Sequence, residues 1–179
     1  MNVAATPFAT PVVPVLVTER LVLSAPVLAD FEHIAAFHAS DRAVWEGGPR
    51  HRHHAWRIWA ADVALWMLRG HGPFRVADRE TGAWLGEVGI VRGDEFPEAA
   101  LAWMVAPEAE GRGIAAEAAR AVMVWARRQF GWDDLISIID PGNSRSIALA
   151  LRLGGRVDPK RAGIDLSDVV IVHDLRGLA

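Results

Sequence analysis

The chain has 179 residues, about half of them apolar, which suits one domain with a substantial core and leaves little room for a second. A formal charge of -3 gives no reason to expect nucleic acid or an anionic membrane as partner, so any anion must be caught locally. There is no cysteine, which excludes disulfides, thiolate metal sites and a catalytic thiol, and no tyrosine, which removes a common general acid.

Residues 1–17 are apolar but broken by Pro7, Pro11 and Pro14 and lack a basic start. They fit neither a signal peptide nor a membrane span, and read as a loose arm ahead of a single domain over 18–179 in a cytoplasmic protein. Leu21 and Leu23 alternate with polar neighbours as in a half-buried strand. Asp30 to Ala39 places Phe31, Ile34, Ala35 and Phe37 at helical spacing, and a second helix runs to about Arg69, ended by Gly70 and Gly72. Three antiparallel strands follow between Pro73 and Ala106, joined by turns rich in Gly, Asp and Pro. A helix over Ile114–Phe130 with Gly131 as its C-cap leads to the apolar strand Asp134–Asp140. After the turn Pro141-Gly142-Asn143 come a short helix and a last strand ending at Leu175. This order predicts an α/β (α+β) layer protein with a mixed sheet.

The stretch Met104–Ala118 carries the chemistry. A strand, a glycine turn and a helix start point backbone N–H groups outward at the positive end of the helix dipole, where an anion belongs. Gly111 and Gly113 permit close approach, Arg112 can add a donor at the rim, and the helix that opens at Ile114 carries the small residues Ala115, Ala116, Ala118 and Ala119, which let it sit close to what lies above. Glu108 and Glu110 would repel phosphate, so both are expected to face solvent. A plain reading, glycines serving a tight connection, stands beside this one. A P-loop is excluded because no lysine with Ser or Thr follows the glycines. A dinucleotide fingerprint is the harder rival, with Asp133, Asp134 and Asp140 downstream. Against it, four residues separate strand from glycines, and the motif follows a meander rather than opening a βαβ unit.

Taken together, "TERLVL", "DRETGAWLGEVGI", "LAWMVAPEAEGRGIAAEAAR" and "SIIDPGNSRSIALALRLG" resemble the GNAT superfamily of N-acetyltransferases, in the branch that includes the ribosomal-protein N-terminal acetyltransferases. The resemblance spans nearly the whole chain. It implies a mixed, mostly antiparallel twisted sheet of about six to seven strands flanked by about four helices, with a splay between the fourth and fifth strands. It also implies acetyl-CoA as cofactor, its pyrophosphate held by the family loop Arg/Gln-x-x-Gly-x-Gly/Ala, here Glu110 to Ala115; glutamate departs from that pattern at the first position. By the same resemblance the backbone of Trp103, Met104 and Val105 walls the pantetheine arm, with a Met104 or Val105 N–H polarising the thioester carbonyl. Asn143 is expected to bond the pantetheine amides, although an N-cap role alone would also suit it.

Amine acetylation needs a neutral amine, a proton acceptor and donors for the developing negative charge. Many family members use a tyrosine seven residues past the asparagine, a slot that holds Ala150 here, so Ser146 is the nearest acid. Glu87 and His173 are the candidate bases; the plain reading is a solvated strand face for Glu87 and a packed or exposed strand histidine for His173. His51–His54 cannot converge on one ion, so no metal is expected and they read as a solvated helix start; core packing is the first explanation of Trp45, Trp56, Trp59 and Trp66, one of which can still wall an acceptor pocket. The implied acceptor is a primary amine, on a small molecule or a protein N-terminus, with a homodimer as a family habit. A catalytically silent acyl-CoA-binding module is the alternative, and the dinucleotide-binding protein comes third.

Overall fold

The computed structural model describes residues 12–178. Strands β1 (Leu16–Val17) and β2 (Leu21–Ser24) precede helices α1 (Phe31–His38) and α2 (Arg52–Arg69), which are separated by a 3-10 helix over Asp41–Glu46. Strands β3 (Pro73–Asp78), β4 (Trp84–Val91) and β5 (Ala100–Val105) lead through a 3-10 turn, Pro107–Ala109, to helix α3 (Ile114–Phe130). Strand β6 (Asp134–Ile139), helix α4 (Ser144–Arg152), and strands β7 (Arg156–Val157) and β8 (Val169–Asp174) complete the chain. One sheet runs β1-β2-β3-β4-β5-β6-β8-β7, antiparallel except where β5 meets β6. Eight strands replace the expected six or seven because the two-residue strands β1 and β7 are too short to carry a periodic signal. The first eleven residues of the expected arm lie outside the described residues, whereas Leu16–Val17 pair with Leu23 and Val22 as an edge strand.

Each face of the sheet is covered for a reason visible in the residues. α3 buries Ile114, Ala118, Ala119, Val122 and Ala126, a stripe whose small side chains let the helix lie close on Val88, Ile90 and Leu101. Gly131, at φ 69°, ends that helix in the left-handed conformation expected of a C-cap. On another side of the molecule Phe31, Ile34 and Ala35 of α1 pack with Ala55 and Trp59 of α2, and Met104 lies against them. An ion pair from the half-buried Arg75 Nε to the buried Asp30 Oδ1, at 3.0 Å, fixes the start of α1 to β3.

Strands β4–β6 depart from a regular ladder in two places. Main-chain pairing between β5 and β6 is registered at one position, Ala100 with Ile136, and beyond it the strands part. The seam is braced by Ser137 Oγ, which donates to the Leu101 carbonyl at 2.8 Å. At the other end of β5, opposite Val105, Gly86 of β4 has φ 151°, and a Cβ there would lie 2.3 Å from the Met104 carbonyl oxygen. Gly86→Ala is therefore expected to destabilise the fold by about 2–4 kcal/mol, read as a fall in urea midpoint, because backbone rather than a flexible side chain must move.

Candidate active site

The β5–α3 connection forms one wall of a cavity of about 1160 Å³. Gly111 and Gly113 take φ 71° and 77°, and α3 begins at Ile114, so the first N–H groups of a long helix open on this space. Gly111, Gly113, Ile114, Ala115 and Ala116 all line it, opposite Asn143 and Ser146 of the β6–α4 turn. Trp103, Met104 and Val105 form the floor where the sheet splays.

The three acids around the loop are each accounted for. Glu108 is exposed. Glu117, in the first turn of α3, is turned aside by Thr18 Oγ1 at 2.6 Å and by Arg20 Nε at 2.7 Å. Glu110 does not face solvent as expected; it is half-buried in the cavity wall, between Arg42 Nη2 on one oxygen and Arg145 Nη1 at 2.7 Å on the other. Burial works to raise its carboxyl, but the bond and charge of Arg42, with Arg145, hold it below the usual range. Arg112 is not brought to the cavity either. Its side chain is exposed and turns toward the Glu108 carbonyl, while its own carbonyl accepts from Arg20 Nη1 at 3.0 Å.

Phase along the β4–β5 ladder decides which strand groups are free. Ala106 N–H donates to the Leu85 carbonyl at 2.8 Å, so the Leu85–Ala106 and Glu87–Met104 pairs are the hydrogen-bonded ones. By the same alternation Trp103 and Val105 turn their N–H and C=O groups toward the splay. Of the two candidate N–H donors, Val105 is thus in position and Met104 is committed to Glu87. Arg42 Nη2 already donates to the Val105 carbonyl at 2.8 Å on that side.

At the start of α4, Asn143 Oδ1 accepts from the Ser146 N–H at 3.2 Å, an N-cap that leaves the amide nitrogen of Asn143 as a free donor. Trp103 Nε1 donates to Ser146 Oγ at 3.2 Å, so the hydroxyl hydrogen remains available to another acceptor. Ala150 is wholly buried with Ile139 and Ile171, away from the cavity.

A smaller cavity of about 120 Å³ adjoins the first and shares Phe37, Glu46, Trp103 and Met104 with it. Glu87, Asp62 and Glu46 bring three carboxyls to its wall beside the apolar Ile34, Ile58 and Trp59. Glu87 is directly opposite Met104 in the ladder, is buried, and accepts from Trp59 Nε1 at 2.9 Å. Burial pushes its carboxyl up to about 8; the Trp59 bond opposes the shift and the charges of Asp30 and Asp62 add to it. Burial, with the charges of Glu46 and Glu95, pushes Asp62 up to about 7. An ammonium group entering here would favour the ionised carboxylates and be held by them.

His173, the other candidate base, belongs elsewhere. Its ring, on β8, is fully buried against Ser137 of β6 and lines neither cavity. Ser137 Oγ gives its proton to Leu101, so His173 Nε2–H donates to that oxygen at 3.0 Å, and Nδ1 has no partner among the described residues. Burial pulls the ring down to about 4, which keeps it neutral. The histidines His51–His54 are exposed at the start of α2, and among the described residues no three His, Asp or Glu side chains are grouped to hold a metal ion. Among the described residues no helix is long and apolar enough to cross a membrane. β5, α3 and β6 do form a βαβ unit, contrary to expectation, because α3 returns the chain parallel to β5. The dinucleotide reading is left with glycines displaced from the strand end by the Pro107–Ala109 turn.

Residues 20–156 match the family model for the acetyltransferase (GNAT) domain. The crystal structure of an acetyltransferase from Agrobacterium tumefaciens is 39% identical, with a TM-score of 0.86 over 90% of this chain and 94% of that one. RimL, a ribosomal L7/L12 alpha-N-protein acetyltransferase crystallised with coenzyme A, shares the fold at 14% identity, with a TM-score of 0.69 over 90% of this chain and 98% of that one. The uncharacterised protein YkkB of Bacillus subtilis is 35% identical over 96 residues, 51% of this chain, so the match spans about half, 50%, of that relative's length.

Proposed function

The chain belongs to the GNAT acetyltransferase family, and from that premise we propose that it transfers the acetyl group of acetyl-CoA to a primary amine by direct attack in a ternary complex. The observation that carries the amine assignment is the junction of the two cavities. There Glu87, paired across the ladder with Met104, lines an acidic pocket beside the strand edge that borders the large cavity.

The residues present fit acetyl-CoA. The φ-positive glycines leave the loop open, with no atom within 4 Å of a Cβ built at Gly111, and Asn143 keeps a free amide donor. Ile114, Ala115 and Ala116 would offer N–H groups to a phosphate. When bound, acetyl-CoA supplies a thioester open to attack by a neutral amine. Val105 N–H, turned into the splay, is the donor for the thioester oxygen. Glu87 takes the ammonium proton, and Asp62 and Glu46 hold the cationic acceptor until it is deprotonated. Ser146, its oxygen fixed by Trp103, donates toward the leaving sulfur. A cavity of about 120 Å³ suits a small amine or the tip of a larger one, which leaves both a metabolite and a protein N-terminus within the class.

Calorimetric titration with acetyl-CoA, with NAD as control, followed by an amine screen reading CoA release, tests this function. Binding of acetyl-CoA with turnover is expected. Binding without turnover of any amine would favour the silent acyl-CoA-binding module, for which the buried Ala150 in place of a tyrosine is the supporting observation. Ser146→Ala is expected to lower kcat only about tenfold with acetyl-CoA affinity unchanged, because a thiol of pKa ~8.5 leaves without much help. A normal kcat would remove Ser146 from the mechanism.

A further inference from the structure

The family loop carries glutamate where Arg or Gln is usual, and the consequence lies in its two partners. Arg42 comes from the 3-10 helix between α1 and α2, Arg145 from the first turn of α4, and both converge on the Glu110 carboxylate inside the large cavity. Neither arginine bonds any other carboxylate among the described residues. Arg42 is braced by the Val105 carbonyl, whereas the Arg145 side chain is 74% exposed, and nothing but Glu110 orients it. Two guanidiniums around one carboxylate, beside a ring of helix N–H groups, form a site whose natural occupant is a phosphate: it offers more oxygens and more charge to the same forks.

We infer that Glu110 is a placeholder for a phosphate of acetyl-CoA, and that Arg42 and Arg145 exchange its carboxylate for that phosphate when the cofactor binds. The inference rests on the acetyl-CoA reading of the large cavity. It assigns the arginine lacking from the loop to two residues remote in sequence, and it makes the glutamate a competitor that keeps the site paired while empty. A carboxylate and a phosphate cannot both occupy the forks at close range without repulsion, so Glu110 must turn outward on loading.

The test is a set of calorimetric titrations with acetyl-CoA, 3′-dephospho-CoA and pantetheine on the parent, Glu110→Gln, Arg42→Gln, and the double variant. Glu110→Gln is expected to bind acetyl-CoA about three- to tenfold more tightly, with pantetheine unchanged, since the competing charge is gone. Arg42→Gln is expected to lose more affinity in the Glu110→Gln background than in the parent, where half of its hydrogen bonding must first be broken. A gain kept with 3′-dephospho-CoA assigns the pyrophosphate, and a gain lost with it assigns the 3′-phosphate; either agrees with the exchange. Unchanged or weaker acetyl-CoA binding by Glu110→Gln, or a gain shared by pantetheine, overturns the inference and leaves the cofactor reading intact. A smaller loss from Arg42→Gln in the Glu110→Gln background overturns it too, by showing that Glu110 positions the arginine. Absence of acetyl-CoA binding by the folded parent overturns both readings. Arg145→Gln guards against misfolding of the half-buried variants: at this exposed position a loss of about three- to tenfold for acetyl-CoA but not pantetheine is expected, and no loss would overturn the role of Arg145.

Discussion

Glu87→Gln is expected to lower kcat/KM for an amine acceptor by about 10²–10³-fold while leaving acetyl-CoA affinity unchanged. The replacement keeps the shape and can still accept from Trp59 Nε1, so the loss isolates the missing base. The pH profile distinguishes this from a packing defect. With the folded carboxyl near 8, kcat/KM of the parent rises with pH through that region as Glu87 ionises, and the variant lacks this limb. Stability moves the opposite way. An ordinary glutamate of 4.5 in the unfolded chain loses its proton first, so the unfolded state binds fewer protons between about 4.5 and 8, and the folded state weakens as pH rises across that window. Glu87→Gln removes the penalty, and its urea midpoint at pH 8 is expected to exceed that of the parent. A variant less stable at pH 8, with activity lost at every pH in parallel, would mark Glu87 as structural.

The second large effect is at the anion loop. Gly113→Glu is expected to weaken acetyl-CoA binding by at least about 100-fold, since it forces an L-residue to φ 77° and sets a carboxylate at the first turn of α3. Gly113→Ala separates the two causes, carrying the strain without the charge, and is expected to lose less than tenfold. The fold should survive both, because a Cβ at Gly113 meets only the Arg20 guanidinium, at 3.6 Å. Equal affinities in parent and Gly113→Glu would place the phosphate somewhere else.

The loop and its helix are legible in the sequence because their signal is local: Gly111, Gly113 and the small residues after them lie within six positions, and Asn143 reads its cap from Ser146 three residues on. What the sequence hides depends on distance along the chain. Arg42 is separated from Glu110 by 68 positions, and no pattern near either residue announces the pair. Glu87 and His173 are alike to a reader of residue types; burial on opposite sides of a wall separates them, one in a cavity among other acids, one sealed against Ser137. Asp62 carries no signal of its own, since an acid on a helix is ordinarily a solvated one, and only the packing of α2 against the sheet turns it inward. The parallel return of α3 likewise comes from the sheet order, not from the turn that begins it.

The seam between β5 and β6 gives the molecule two leaves joined by a single rung at Ala100 and Ile136, with Ser137 as a stitch beside it. Pantetheine, with amides of its own, would serve as a short strand in the gap beyond that rung, so that a loaded protein would carry main-chain pairing along more of the seam than the single rung supplies. Stiffness at the reaction centre would then be a property supplied by the substrate. It would last as long as pantetheine occupies the gap and relax as CoA departs, when an open seam is what release requires.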